Sequence, residues 1–231
     1  MFSNQKTIKN QISFSGVGLH SGKIAEIILI PQGLNTGINF FFKNKKIKAS
    51  WKNAIVSQLC TKLKHDALYI STIEHLMSAL SGAGVTNLLI KISGSEVPIL
   101  DGSAKEFFEK ILLDGLENQK KEKKILKIKK NVFYKNENKF IEIKPHKKEF
   151  LRIDYSIDYN DEFIKKQNLI YEHNLKNYKE IYKARTFCLQ RDLEKIFAMG
   201  LAKGGTLENA IVVSGNKILN QGGLRYNNEF V

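Results

Sequence analysis

The sequence contains few cysteines, and their arrangement is not typical of a disulfide framework. Cys60 and Cys188 form neither a CxxC pair nor the ligand spacing of a structural zinc site. We therefore expect reduced thiols, as is usual in the cytosol. The sequence also lacks a run approaching the roughly 18 apolar residues of a membrane span. Residues 1–14 alternate polar and apolar positions, whereas a signal peptide has an apolar core. These absences predict a cytoplasmic protein with no membrane span.

Arginine is also scarce, although the chain is strongly basic. The net charge is +14, yet only four of the 37 basic residues are arginine. Arginine reads phosphates and base edges better than lysine does. The many lysines therefore indicate a solvated surface, and we expect no nucleic-acid partner. A weaker attraction to an anionic nucleotide or to an anionic membrane surface stays open.

The apolar pattern predicts runs of strands with few helices between them. A chain of 231 residues with 42% hydrophobic residues can form one large domain or two small ones. Strands are predicted at 5–15, 23–30, 37–42, 86–92, 125–134, 138–144, 149–159 and 209–214. Helices are predicted at 72–83, 103–114, 175–183 and 189–199. This order is typical of the α+β class and predicts two sandwich domains in tandem.

A lysine-rich run marks the predicted boundary between the domains. Residues 118–130 begin as a charge run and continue as a strand pattern. We predict an N-terminal α+β domain at 1–117, a linker at 118–124 and a C-terminal α+β domain at 125–231.

The segment STIEHLMSAL, residues 71–80, carries the first candidate chemistry. Its apolar residues recur at helical spacing, and His75 lies off that stripe, beside the small residues Ala79 and Gly82. Such a face allows another surface or a ligand to come close. Ser71 and Glu74 have the spacing of a capping box, which is an alternative to a catalytic role for Glu74. His75 could equally be an ordinary polar helix residue, because a Glu-His pair lacks the two-histidine spacing of HExxH.

Two further segments predict turns. In the loop at 93–104, Pro98 and the Asp101-Gly102 pair set turns, and Ser103 can cap the next helix. A ligand role for Asp101 is a less favoured alternative. Residues 203–206, KGGT, lack the order of a phosphate-binding loop and predict a turn.

Taken together, these segments closely resemble the UDP-3-O-acyl-N-acetylglucosamine deacetylases. The similarity runs from QKTIKNQISFSGVGLHSGK through STIEHLMSALSGAGVTNLLIKISGSEVPILDGSA to ARTFCLQRDLEKIFAMGLAKGG, ENAIVV and GLRYNNEFV. The resemblance implies two similar layered α/β sandwich domains with the active site between them. It also implies a zinc-dependent hydrolase of lipid A biosynthesis, acting as a monomer. Its substrate would be UDP-3-O-[(3R)-3-hydroxyacyl]-N-acetylglucosamine, from which it removes the N-acetyl group and releases acetate.

The resemblance also implies roles for individual residues. His75 matches a ligand of the Zn²⁺ ion, Glu74 matches the general base, and Thr186 matches a threonine that helps hold the oxyanion. The positions that match the substrate cleft are Leu59, Cys60 and Phe187. The positions that match the acyl-chain passage are Leu193, Leu207, Ala210 and Val212.

The sequence departs from the family pattern at its end. After Val231 the family continues with a helix that carries a His and an Asp zinc ligand, followed later by a catalytic histidine. We therefore expect an incomplete second domain, and zinc binding that is weak or absent, since three protein ligands are usual and only His75 is present. A fragment of a longer protein is the favoured explanation. The alternatives are an inactive remnant that at most binds the nucleotide sugar and, least favoured, a partner chain that supplies the missing part.

Overall fold

The computed structural model describes residues 4–231, which form a mixed α/β structure with many short strands and few helices, consistent with the α+β class. The helices are α1 (Glu74–Ala83), α2 (Lys105–Asp114), α3 (Leu175–Tyr178) and α4 (Leu193–Ala198). The strands of the first half are β1 (Asn4–Ile8), β2 (Ile12–Val17), β3 (Ile24–Pro31), β4 (Ile38–Phe42), β5 (Lys45–Lys48), β6 (Ala54–Ile55), β7 (Lys62–His65), β8 (Leu68–Ile70), β9 (Leu88–Ile92) and β10 (Leu116–Glu122). The later strands are β11 (Val132–Asn136), β12 (Lys139–Ile143), β13 (Arg152–Asp158), β14 (Lys166–Glu172), β15 (Phe187–Leu189), β16 (Ile211–Ser214) and β17 (Lys217–Ile218). Single 3-10 turns lie at Trp51–Asn53 and Gln190–Asp192.

A five-stranded sheet with the order β2-β3-β9-β4-β5 forms the centre of the first half. Its pairs are antiparallel except for β4 with β9. The strands alternate in burial, so that Ile27 and Leu29 of β3 point into the core between exposed or half-buried neighbours. Helices α1 and α2 pack together and belong to the same core, where the rings of Phe14 and Phe107 lie 4.9 Å apart. The sheet therefore holds α1, on which Glu74 and His75 lie.

A smaller sheet, β6-β7-β8, was not anticipated from the sequence. These strands are two to four residues long, and their apolar residues are interrupted by lysines. Leu63 and Ile70 are paired across β7 and β8 and are buried in the same core as the five-stranded sheet. The short sheet is therefore stabilised by its inner face.

Most of the segment predicted as a linker belongs to a strand. Residues 118–122 lie in β10, which pairs antiparallel with β1, for example through Ile8 and Leu116. The exposed lysines of β10 gave the segment the composition of a linker, but Gln119 is buried and bonds Asn87 at 2.6 Å. The sheet pairing thus extends to Glu122.

The second half forms two hairpins, β11-β12 and β13-β14, and a sheet with the order β15-β16-β17. It has its own buried cluster, formed by Ile157, Ile164, Leu189, Ile211, Val213 and Phe230. Two separate clusters are compatible with tandem domains, but the tandem layout and the boundaries 1–117 and 125–231 stay predictions. Residues 1–3 of the predicted first domain lie outside the described residues.

The helices of the second half are shorter than predicted. The predicted helix at 175–183 is α-helical only over Leu175–Tyr178, and the one at 189–199 only over Leu193–Ala198. Leu189 instead ends β15, and a 3-10 turn separates it from α4. Within residues 4–231, no helix has the length and apolar character needed to cross a membrane.

The small face of α1 is covered by the second half of the chain. The Tyr178 ring lies so close to Gly82 that a Cβ atom there would overlap the ring. The Tyr178 hydroxyl is 2.8 Å from Ser78 Oγ, and the ring packs edge-on against Phe108 at 4.8 Å. The sequence expectation that this face admits another surface is confirmed at Gly82. Tyr178 therefore anchors α3 on the first-half core.

We expect Gly82→Ala to destabilise the protein by about 1–3 kcal/mol, because the new methyl group displaces the Tyr178 ring. The matched control is Ser81→Ala, one residue away on the exposed side of the same helix. That change raises helix propensity without a clash. Chemical denaturation of both variants measures the difference, and equal stability of the two would contradict the packing argument.

Candidate active site

Glu74 and His75 occupy the first turn of α1, but the predicted capping box does not form. The N-cap residue is Ile73, with no side-chain cap bond. Ser71 instead donates its hydroxyl and its amide to the Ser95 carbonyl, at 3.2 and 2.9 Å. The Glu74 carboxylate accepts the Thr61 amide at 3.0 Å. The capping interpretation of Glu74 was therefore wrong, because a long-range partner takes Ser71.

Burial shifts the pKa values of Glu74 and His75 in opposite directions. Burial raises the pKa of the Glu74 carboxyl above its ordinary value of 4.5, although hydrogen bonding to Thr61 opposes the rise. Burial lowers the pKa of His75 to about 4, against the opposing attraction of Asp101. His75 is thus neutral near pH 7, and an imidazole nitrogen is available as an acceptor or ligand. The pair combines a carboxylate suited to proton transfer with a neutral imidazole.

Glu96 is the residue of this region that sequence reasoning missed. Its buried carboxylate accepts the amides of His20 and Ser21 at 2.9 and 2.8 Å, and the Thr72 hydroxyl at 2.8 Å. Burial alone would raise the pKa of Glu96, but these hydrogen bonds outweigh burial and lower it below 4.5. A Cβ atom at Gly18 would overlap the carboxylate, so a side chain there would displace Glu96 from its hydrogen bonds. In the sequence, Glu96 cannot be distinguished from a solvated loop carboxylate.

The predicted cleft residues Leu59 and Cys60 lie against His20. The His20 ring hydrogen-bonds the Cys60 thiol, and its Nε2 lies 3.4 Å from the Leu59 carbonyl. The bond to Cys60 raises the pKa of His20 above 6.5. Burial would raise the pKa of the Cys60 thiol, but hydrogen bonds from His20 and Ser57 lower it below 9.0. Because Thr61 follows directly and bonds Glu74, the structure brings Leu59, Cys60 and Glu74 together.

Thr186 is held against the loop that contains Asp101. Its amide donates to the Gly102 carbonyl at 2.8 Å, and its carbonyl accepts the Ile211 amide at 2.9 Å. Gly102 has a φ of 79°, and a Cβ atom there would overlap the Asn209 carbonyl. Asp101 itself acts electrostatically on His75. The Asp101-Gly102 turn therefore links the predicted ligand His75 with the predicted oxyanion residue Thr186.

An ion-pair network fixes the other side of this turn. Arg225 Nη1 lies 2.8 Å from Asp101 Oδ2, while Asp101 Oδ1 accepts the amide and hydroxyl of Ser103. Glu229, whose side chain is fully buried, pairs with Arg185 Nε at 2.8 Å and accepts the Arg185 and Arg225 amides. Burial would raise the pKa of Asp101, but Ser103 and Arg225 lower it below 3.8. The Asp101 carboxylate is thus occupied by Arg225 and by the turn at Ser103. The turn role agrees with the favoured sequence interpretation.

The remaining predicted residues lie on neighbouring elements of the second half. Phe187 and Val212 are on the paired strands β15 and β16, and the Phe187 ring packs against Phe230 at 4.9 Å. Leu207 and Ala210 precede β16, and Leu193 begins α4. The acyl passage formed by Leu193, Leu207, Ala210 and Val212 stays a prediction.

The residues present fit a zinc ion only in part. His75 offers a neutral imidazole, which is the form that binds zinc. Across residues 4–231, however, no group of three or more His, Cys, Asp and Glu side chains could hold a metal ion. A catalytic zinc site usually has three protein ligands and one water. No step of the chemistry can therefore be derived through the metal from these residues.

Comparison with known proteins gives one consistent result. The family model of UDP-3-O-acyl N-acetylglycosamine deacetylase matches residues 5–231. A protein named UDP-3-O-acyl-N-acetylglucosamine deacetylase from Campylobacter hominis is 39% identical over 230 residues, covering 98% of this chain and 78% of the relative. One of the same name from Campylobacter jejuni is 42% identical, with the same coverage. Another from Chromohalobacter salexigens is 39% identical over 98% of this chain and 77% of the relative.

We expect Glu96→Gln to destabilise the protein by about 1–3 kcal/mol, because an amide cannot accept from all three donors and leaves a buried donor unpaired. The folded pKa of Glu96 lies below the ordinary value of 4.5, so the contribution of the carboxylate is complete above that value. It is lost as the pH falls through the folded pKa. The stability gap between wild type and variant should therefore close in acid.

Denaturation between neutral pH and pH values below 4.5 measures this gap. Glu26→Gln is the matched control, since Glu26 is an exposed carboxylate on β3. A gap for Glu96→Gln that is as small as that of the control at neutral pH would contradict the assigned role.

Proposed function

Because the chain belongs to the UDP-3-O-acyl N-acetylglycosamine deacetylase family, we propose that it hydrolyses the N-acetyl group of UDP-3-O-[(3R)-3-hydroxyacyl]-N-acetylglucosamine and releases acetate. The members of this family are deacetylases, which are amidases, and the names of the relatives support this substrate. We place the reaction in the cytoplasm and in lipid A biosynthesis. The single observation that carries the proposal within this chain is the first turn of α1, where Glu74 and His75 lie side by side.

In the proposed reaction Glu74 is the general base. Its carboxylate takes a proton from water as the water oxygen attacks the acetyl carbonyl. Collapse of the tetrahedral species breaks the C–N bond, the proton held by Glu74 passes to the nitrogen, and the acetyl group leaves as acetic acid, which loses its proton to water to give acetate. Burial supports this role, because it raises the pKa of Glu74 toward the range in which a carboxylate can both accept and return a proton. The hydrogen bond from Thr61 orients the carboxylate.

We further propose that His75 is this chain's ligand to a Zn²⁺ ion, which when bound supplies Lewis-acid polarisation of the amide carbonyl. The neutral state of the imidazole supports this assignment. Thr186 is proposed to hydrogen-bond the developing oxyanion, because its backbone is fixed between Gly102 and Ile211. Leu59, Cys60 and Phe187 are proposed to contact the substrate.

A second candidate function is binding of the nucleotide sugar without turnover. The observation that favours it is the incomplete set of metal ligands among residues 4–231. The two candidates differ in acetate release and not in binding, so both quantities must be measured on the same preparation.

We expect Glu74→Gln to lower the deacetylation rate by roughly 10²–10⁴-fold, because glutamine keeps the size and the acceptor for Thr61 but cannot take the proton. Melting temperature and bound zinc should change little. The matched control is Glu106→Gln, which changes a largely exposed carboxylate in the first turn of α2 whose pKa is raised by partial desolvation and by the charge of Asp101. Acetate release, thermal unfolding and metal analysis check these expectations.

Near-normal turnover of the Glu74 variant would rule out its role as the base. Wild-type protein that binds the substrate but releases no acetate, with zinc supplied, would favour the second candidate. Loss of activity together with a large fall in melting temperature would mean that Glu74 acts through stability.

A further inference from the structure

The part of the chain that precedes α1 carries charges of almost one sign. Residues 27–65 contain seven lysines and no Asp, Glu or Arg. The short sheet β6-β7-β8 and the 3-10 turn before it lie within or directly after this segment. The nearest acidic residue along the chain, Asp66, lies at the tip of the β7-β8 hairpin, 3.7 Å from the His65 ring. Apart from Asp66 at the hairpin tip, the segment that forms this sheet carries only positive charges.

The strand register places lysines and apolar groups on one face of this sheet. Ile55 is paired with Lys62, and Lys64 with Tyr69. Antiparallel partners project to the same side, and the alternate residue Leu63 is buried in the core. Ile55, Lys62, Lys64 and Tyr69 thus share the outward side, which we call the lysine-aromatic face. The Lys62 ammonium lies 5.5 Å from the centre of the Tyr69 ring.

Large exposed apolar side chains also flank β6 along the chain. Trp51, just before β6, is 81% exposed, and Val56, just after it, is fully exposed. Lys52 places its ammonium 5.7 Å from the centre of the Trp51 ring. Trp51, Ile55, Val56 and Tyr69 are all exposed within one short stretch of chain. Clustered exposed apolar residues, unlike scattered ones, mark interaction surfaces.

We propose that the lysine-aromatic face, together with Trp51 and Val56, docks on the surface of an anionic phospholipid bilayer. Tryptophan and tyrosine favour the interfacial layer of membranes, and lysine stems lie along apolar surface while their ammonium groups reach the phosphates. Clustered lysines are attracted to anionic lipid headgroups. Lysine is depleted at protein–protein interfaces, which disfavours a protein partner. The lack of arginine in this region disfavours nucleic acid.

The face lies beside the candidate active site. The loop from β6 to β7 carries Cys60 and Thr61, and the Thr61 amide holds Glu74. Docking would therefore bring the site close to the lipid headgroups. The proposal itself concerns binding alone and does not depend on the proposed reaction.

The test uses Trp51 as its own probe, because it is the only tryptophan in the chain. We expect the full chain to sediment with vesicles of phosphatidylglycerol and phosphatidylcholine but not with phosphatidylcholine alone, and the Trp51 emission to shift to the blue. Changing Lys52, Lys62 and Lys64 to glutamine should weaken binding on the order of 100-fold, since each lysine near an anionic surface contributes roughly fivefold. Val56→Asp should weaken binding without affecting folding, because its side chain is fully exposed.

The matched control changes Lys120, Lys121 and Lys124 to glutamine, which removes the same charge from exposed positions in and just after β10. It should bind as the wild type does. If the control weakens binding equally, the attraction depends on the net charge of the protein and not on this face, and the proposal is overturned. Binding without a change in Trp51 emission would place the contact elsewhere and overturn it as well. No binding to anionic vesicles would overturn it outright, and tighter binding of an RNA or DNA oligonucleotide that shifts Trp51 would reassign the face to nucleic acid.

Discussion

The candidate site depends on one buried carboxylate. The Glu96 carboxylate connects its own loop to two other segments. It accepts hydrogen bonds from the turn that carries His20 and from the Thr72 hydroxyl just before α1. Thr72 has a φ of 56°, a left-handed conformation that is rare for a β-branched residue. The hydrogen bond to Glu96 stabilises this conformation and so sets the direction in which α1 begins. Since Glu74 and His75 occupy that first turn, their positions follow from a residue that contacts neither in a direct hydrogen bond.

The second constraint is the close approach of the two halves of the chain. Tyr178 packs on Gly82 of α1, and the Asp101-Gly102 turn contacts both Thr186 and Asn209. Both contacts use glycine, because a side chain would fill the space that the other half occupies. The Arg225–Asp101 pair adds a charge-assisted bond between the halves. Within the second half, the buried Glu229 pairs with Arg185 and accepts the Arg225 amide, which holds Arg225 in place. These contacts place Thr186 against the Asp101-Gly102 turn, whose aspartate acts on His75.

Local patterns predicted the long elements well and the long-range contacts poorly. Helices α1 and α2 and the strands β3, β4 and β9 follow from apolar spacing, since each buries one face against the same core. The single strand predicted at 5–15 was wrong, because that segment forms β1 and β2 in two different sheets, and β5 and β14 were not predicted. The capping box failed because Ser71 is occupied by Ser95, a partner 24 residues away. Much of the predicted linker forms β10 because its pairing with β1 is invisible in local composition. Glu74, His75 and Thr186 were named from family resemblance, whereas the role of Glu96 depends on contacts that only folding creates.

The pairing of β1 with β10 also has a consequence for biosynthesis. These strands are the first and last of the N-terminal half, and they join residues such as Thr7 and Glu117 that are far apart in the chain. On the ribosome, β1 emerges early but has no partner until β10 has left the exit tunnel. During that interval the unpaired backbone of β1 is exposed, and closing so long a loop is entropically costly. During synthesis from the N-terminus, the β1-β10 pair therefore forms late, after α1 and α2 have already emerged.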